Sequence, residues 1–274
     1  MKYRKRTSSS IHVIASVSAA IFLIILLFSP TAFGQVPQEQ PESIPKASPP
    51  PEDIIRINHE VLDRILRKYV DKKGLVDYKS LKRDKEDLAL LKSYIDDLCE
   101  INPDLLGHPT EINTAWLNLH NAIVLWQVLE KYPLTSPLKA PNFFSEQRWK
   151  IGSKKYSLLD FEQEIFKKKI RDPRMVMARV LATQGGARLP PFAYSGDKIE
   201  EQLDEAAVRF LKEPYNVVWD PKKKRLFVTG YLDWHREELG NIEMLIRSYQ
   251  KGLPEKISIV YGPFNWTLND RALE

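Results

Sequence analysis

The chain has 274 residues, 43% of them hydrophobic, with 41 Lys and Arg against 36 Asp and Glu and a single cysteine. That length and apolar content allow a sizeable buried core, and one thiol excludes an internal disulfide. The net charge of +5 does not mark a nucleic-acid surface: Lys2, Arg4, Lys5 and Arg6 precede a long apolar run, and without these four, 37 basic residues face 36 acidic ones. A surface that tracks phosphates needs clustered basic residues in excess, so no nucleic-acid partner is expected.

Residues 1–34 read as a secretory signal. The basic start is followed by an apolar run from Ile11 to Phe28, then by Pro30 and the small-residue pattern Ala32-Phe33-Gly34. The run, about 18 residues, reaches the lower limit for crossing a bilayer, so an uncleaved N-terminal membrane anchor is the alternative. Both readings put the folded part outside the cytoplasm, secreted or periplasmic. Residues 35–53 hold six prolines among Gln, Glu and Ser, too little apolar surface to offset chain entropy. They are expected to form a disordered linker ahead of a single globular domain over 54–274.

Within that domain, Ile54, Ile57, Val61, Leu62, Ile65 and Tyr69 recur at helical spacing, and Asp71 to Gly74 supplies a turn. A second helix is expected over about Ser80 to Cys99. A third, from about Thr114 to Tyr132, is apolar nearly all round and so belongs at a domain centre. Trp149 to Tyr156 alternates around Gly152-Ser153 and reads as a hairpin. Leu158 to Ile170 is helical until Asp172-Pro173. Met175 to Ala182, an apolar run containing Arg179, reads as a buried strand entering a loop at Gly185-Gly186. An amphipathic helix follows on Leu203, Ala206, Ala207, Phe210 and Leu211. Then come a second hairpin (217–219 with 226–228), a helix near Asn241 to Tyr249, and a strand from Ile257 to Tyr261. Helices first and scattered strands later give an α+β fold, a helical N-terminal half packed on a small, mainly antiparallel sheet.

Recognisable hydrolase, zinc and P-loop motifs are absent from the sequence. Beyond the leader there are four histidines, His59, His108, His120 and His235, none with a partner at metal-ligand spacing. His59 falls on the polar side of the first helix and His108 in a turn. Cys99 follows Leu98 in a helical pattern and reads as core. His120 stands between Asn118 and Asn121 on an otherwise apolar helix. The two amides, three residues apart, share a face and need partners if buried, either by tying loops to the core or by lining a pocket. His235 follows Trp234 and is suited to titrate near neutral pH. The loop Thr183 to Arg188 offers backbone amides and a cation to an anion, or its glycines serve a turn alone.

Several of these segments resemble a known family, domain of unknown function family 547. Val70-Asp71 to Gly74 with Val76-Asp77-Tyr78 resembles its opening "V-D-x-x-G-x-V-D-Y". Trp116 to Ala122 resembles its "W-I-N-x-Y-N-A", and Ser157 to Glu162 its "S-L-x-D-I-E-H". Asp172-Pro173-Arg174 and Pro190-Pro191 resemble the two ends of "D-P-R-I-H-F-A-L-x-C … C-P-P-L". Asp204 to Ala207 and the segment of Trp234 also fit, so the resemblance runs from about Ile54 to Asn269. It implies a fold more than an activity, because the family brings no settled biochemical role. This chain departs from the pattern where reactive groups are usual: Gln163 and Val176 stand in place of His, and Leu181 and Leu189 in place of Cys. None of these side chains replaces an imidazole or a thiolate.

The reading is therefore an exported, non-catalytic binding domain with no cofactor and no metal, whose partner is a peptide, a glycan or an envelope component. Its candidate pocket comprises Asn118, His120, Asn121, Glu162, Arg188, Trp234 and His235. The alternative is an extracytoplasmic hydrolase or transferase built on Asn118, His120 and Arg188. That alternative requires the three to meet in an open cleft.

Overall fold

Helix α1 (Glu60–Tyr69) buries Leu62, Ile65, Leu66 and Tyr69 along one face, the spacing that its sequence repeats. The structure, a computed structural model, describes residues 56–274. The expected signal segment, the Pro-rich linker and the first two residues of the expected domain lie outside the described residues. Instead of one helix over 80–99 there are two, α2 (Tyr78–Arg83) and α3 (Lys85–Ile101). Asp84 makes the break. Its side chain caps α3 by accepting from the Asp87 amide at 3.1 Å, and it also receives Lys68 Nζ at 2.9 Å and the Tyr69 hydroxyl at 3.0 Å. A carboxylate so placed satisfies an amide that a continuous helix would not leave free.

Helix α4 (Pro109–Lys131) starts at Pro109, earlier than Thr114, because proline suits a first turn and His108 caps it. Its residues 114–125 are all buried, and it forms the expected centre. The hairpin β1 (Trp149–Ile151) and β2 (Lys154–Tyr156) pairs antiparallel around Gly152, whose φ of +58° suits a residue without a Cβ. Helix α5 (Leu158–Asp160), with a Ser157–Asp160 capping box, widens into a π-helical stretch over Phe161–Ile170.

Residues 175–180 and Ala182 are buried as expected, with Leu181 partly so, but they are not a strand. A 3-10 turn covers Pro173–Met177, where Asp172 accepts from the Arg174 amide at 2.9 Å. Beyond it, Asn121 of α4 donates to Ala178 O at 3.2 Å and accepts from Val180 N at 3.0 Å. These bonds occupy the backbone groups that a neighbouring strand would need. An apolar run fixes burial without fixing the period, and here a side-chain amide takes the place of a ladder.

Helix α6 (Ile199–Lys212) leads to β3 (Val217–Asp220) and β4 (Arg225–Thr229), an antiparallel pair. Three short helices follow, α7 (Gly230–Trp234), α8 (Arg236–Leu239) and α9 (Ile242–Tyr249), and carry the chain to β5 (Ser258–Gly262). Because this connection is a helical crossover, β5 joins β4 in parallel. The strands thus form two small sheets, one of two strands and one of three, and not a single mainly antiparallel sheet. The α+β class stands. Among the described residues no helix is long and apolar enough to cross a membrane.

The buried side chains divide into two clusters. The first gathers α1 to α4, the β1–β2 hairpin and Phe161, Ile165 and Phe166. The second gathers Phe210 and Leu211 of α6, the three-stranded sheet, Tyr231, Leu232 and Ile246. The segment 175–180 belongs to both: Val176 and Met177 lie in the second, Ala178 and Val180 in the first. On the far side of the sheet, residues 263–267 are fixed against the 183–186 loop. A Cβ on Gly185 would stand 2.7 Å from Asn265 N and 2.8 Å from its O. The Gly185 amide donates to that oxygen at 3.0 Å and the Gln184 amide to Thr267 O at 2.8 Å. Gly185→Ala is therefore expected to cost about 1–3 kcal/mol through forced displacement of backbone. Urea denaturation followed by tryptophan fluorescence checks this, and an unchanged midpoint would remove the close approach as a constraint.

Candidate functional site

The sequence put two amides, a histidine and an arginine forward, and the structure separates them. Asn118 is buried, donating to Tyr194 O at 2.8 Å and accepting from Tyr194 N at 3.0 Å. Asn121 ties down the 178–180 backbone in the same way. His120 is buried between Phe161 and Phe166, with ring centroids at 5.8 and 5.4 Å, and its Nδ1 is 3.1 Å from Asn121 Oδ1. Burial lowers its pKa to about 4, so it is neutral. Arg188 turns elsewhere, to Glu213 at 3.2 Å. No cleft unites Asn118, His120 and Arg188, and the two amides serve to anchor loops.

Three other candidates meet. Glu162 projects from the π-helical stretch, the kind of distortion that often accompanies functional positions. His235 sits between α7 and α8, beside Trp234. What joins them is Arg179, a residue only 1% exposed. Its Nη2 donates to Glu162 Oε1 at 2.7 Å, its Nη1 to Glu238 Oε2 at 3.0 Å, and its guanidinium carbon lies 5.1 Å from the Phe166 ring centre. His235 Nδ1 is 2.7 Å from Glu238 Oε1 and 3.2 Å from Glu162 Oε1. It also lies 3.2 Å from Arg179 Nη2. Two donors cannot bond each other, so the proton on Nδ1 goes to the nearer carboxylate.

With His235 protonated, the charges of this cluster balance: one guanidinium and one imidazolium against two carboxylates. Burial alone would lower the His235 pKa, but its bonds to Glu162 and Glu238 outweigh burial and raise it. Burial likewise pushes Glu238 up, yet the bond from His235 and the charge of Arg179 bring it down to about 2. His235 Nε2 has no hydrogen-bond partner among the described residues. Glu162, His235 and Glu238 also lie close enough together to ligate one ion. The Arg179 guanidinium already supplies the positive charge at their centre, so a divalent cation would be set against a fixed cation. The donor set does not fit a metal.

Above this cluster lies a strip of aromatic rings. Tyr231 stands over His235 with centroids 4.6 Å apart, and it also touches Phe264 at 5.5 Å. Trp234, 52% exposed, stacks on Trp266 at 5.9 Å and 25°, and meets Phe264 at 5.3 Å. Phe264 and Trp266 are 4.7 Å apart. Gly230 lets α7 approach the end of β5, since a Cβ there would be 2.9 Å from Gly262 O, and this brings Trp234 to Phe264. Arg179, Glu238, Phe264 and Trp266 were not among the candidates. A lone arginine within a buried apolar run, and a glutamate three residues after His235, were the available signals.

The other reactive groups are structural. Cys99 is buried and its thiol is pushed up to about 12 by burial, which leaves it protonated and inert. His59 stands before α1 without capping it through its side chain, bonds the Tyr94 hydroxyl at 2.7 Å, and is lowered to about 4 by burial. Lys167 to Lys169 end a helical stretch and Lys222 to Lys224 form the β3–β4 turn.

Fold and site together define an α+β domain with a buried ion cluster beneath a surface strip of aromatic rings. Residues 108–211 match a family described as "Protein of unknown function, DUF547", which supports assigning the chain to that family. The matched stretch includes α4, the π-helical segment with Glu162, Arg179 and most of α6. The opening motif at 70–78 and the segment of His235 fall outside it. No curated protein and no solved structure gave a match. Where the family pattern has reactive groups, this chain has exposed Gln163, Val176 and Leu189 within the core, and Leu181 packed against it.

The cluster has a pH dependence of determined sign. A raised His235 pKa contributes stability fully present below its unfolded value of 6.5 and lost as pH rises through the folded value. The lowered pKa values of His59 and His120 act oppositely, with stability lost as pH falls from 6.5 towards about 4. The stability difference between the protein and His235→Gln isolates the first effect. It is expected to be largest below pH 6.5 and to shrink at alkaline pH, as measured by thermal unfolding across pH. Asn121→Ala, which strands a buried amide and a buried carbonyl, is expected to cost about 1–3 kcal/mol, and chemical denaturation would register it.

Proposed function

We propose that this chain is a non-catalytic binding domain that works outside the cytoplasm, with the Trp234–Phe264–Trp266 strip as its ligand seat. The observation that carries the reading is the nearly parallel Trp234–Trp266 pair, with Trp234 exposed and Trp266 half-buried. Tryptophan left half in water on a rigid support is costly unless a partner covers it, and such residues dominate binding surfaces. The buried ion cluster supports the strip from below, because His235 and Trp234 are neighbours in the chain. Among the polar groups beside the rings are two amides: Asn265 lies between Phe264 and Trp266, and its Nδ2 donates to Gln184 Oε1 at 3.5 Å. Flat aromatic faces flanked by amides suit a neutral, hydroxyl-rich ligand, so the partner is a glycan presented at the cell envelope. Export rests on the leader-like residues 1–34, and the near-balanced charge of 35–274 weighs against nucleic acid.

Affinity electrophoresis against a panel of soluble neutral polysaccharides tests this reading. At least one is expected to retard the protein, and Trp234→Ala to weaken that retardation tenfold or more while leaving circular dichroism unchanged. Retardation that survives Trp234→Ala would rule the strip out as the seat.

A second reading rests on His235 alone. A carboxylate on Nδ1 with Nε2 unpartnered is an arrangement that serves general acid–base catalysis. Turnover of a glycan abolished by His235→Gln but not by Trp234→Ala would favour it.

A further inference from the structure

A polar pocket of about 590 Å³ lies at the 184–188 loop. Four separate parts of the chain line it: Lys72 and Lys73 in the turn after α1, Gln184 and Arg188 in the loop before α6, Arg209 and Glu213 near the end of α6, and Glu274. The turn is pressed onto the loop, since a Cβ on Gly74 (φ +75°) would lie 2.9 Å from Arg188 Cβ and 3.0 Å from Leu189 O.

Four cations line this pocket against two side-chain carboxylates, and the pairing is incomplete. Lys73 bonds Glu274 and Arg188 bonds Glu213. Arg209 and Lys72 have no carboxylate within salt-bridge distance among the described residues. The Arg188 side chain is 10% exposed, and its Nε is buried without an acceptor. Arg209 Nη2 is buried without an acceptor as well. A buried guanidinium N–H left unbonded is unfavourable. Two forked donors and a lysine around one polar pocket match an oxyanion, whose several oxygens accept from more than one donor.

We propose that this pocket binds an oxyanion, a phosphate or carboxylate group of a small molecule, held by Arg188 and Arg209 with Lys72 beside them. Gln184 borders both this pocket and the aromatic strip, but none of the proposed donors belongs to the strip, so the proposal does not rest on the glycan reading. The loop amides at 184 and 185 take no part, being bonded to Thr267 and Asn265. The side chains are the donors.

The test is thermal unfolding of the full chain titrated with inorganic phosphate and, in parallel, with citrate, at ionic strength held constant by chloride. A saturable rise in Tm with phosphate supports the proposal and assigns a phosphate group; a rise with citrate alone supports it and assigns a carboxylate. In either case Arg209→Gln is expected to weaken the apparent affinity at least tenfold, Lys72→Ala less, and Arg209→Lys to retain part of it. Arg209 has no ion pair to lose, so its variants are expected to fold. The absence of a saturable rise with either anion, or a rise undiminished in Arg209→Gln, would overturn the proposal.

Discussion

One buried guanidinium organises this molecule. Arg179 lies in the segment 175–180, whose residues are shared between the two hydrophobic clusters. Its partners come from both sides: Glu162 from the stretch that carries Phe161 and Phe166 in the first cluster, and Glu238, which also holds His235, from the α7–α8 corner of the second. Removing a charge from water is expensive and is offset only by close, complete pairing. The geometry here is close, and with His235 protonated the charges sum to zero. A seam made in this way does not slide as an apolar contact can, since any displacement leaves a charge unpaired.

The seam also explains why the aromatic strip is where it is. His235 is held from below by two carboxylates, which fixes the α7–α8 corner and with it Trp234. Phe264 and Trp266 arrive from the other direction, after β5, and are set by the contact of Gly185 with Asn265. Two close backbone approaches and one ion cluster thus hold three rings that share no stretch of chain longer than a few residues. The oxyanion pocket has different origins. It is proposed where the α1–α2 turn, the 184–188 loop, α6 and Glu274 come together, a convergence that leaves Lys72 and Arg209 without an ion pair among the described residues.

Much of the fold was legible because period and burial coincide in it. α1, α4, α6, both hairpins and the α+β class follow from spacing alone, as does the buried, structural character of Cys99. The failures have specific causes. Asp84 stopped a helix whose apolar period continues through it, because capping is a matter of one side chain. The 175–182 run is apolar without being extended, because Asn121, distant in sequence, supplies its hydrogen bonds. The site was half legible. Glu162, Trp234 and His235 were in view, but their convergence depends on Arg179, which the sequence presents as an oddity in an apolar run. A charged residue in such a run must be paired by something, and that demand points to a cluster without saying which carboxylates complete it. Asn118 and His120 attracted attention for the same physical reason, a need for partners, and found them in the backbone.

The most direct test of the seam is Arg179→Met, which keeps length and apolar contact while removing the charge. Equilibrium urea unfolding, read by tryptophan fluorescence together with hydrogen exchange of α7 and α8, measures its effect. The account predicts a loss of about 3–5 kcal/mol from the stranded carboxylates, with exchange in α7 and α8 accelerating more than in α4. An unchanged midpoint, or a loss spread evenly over both clusters, would contradict it.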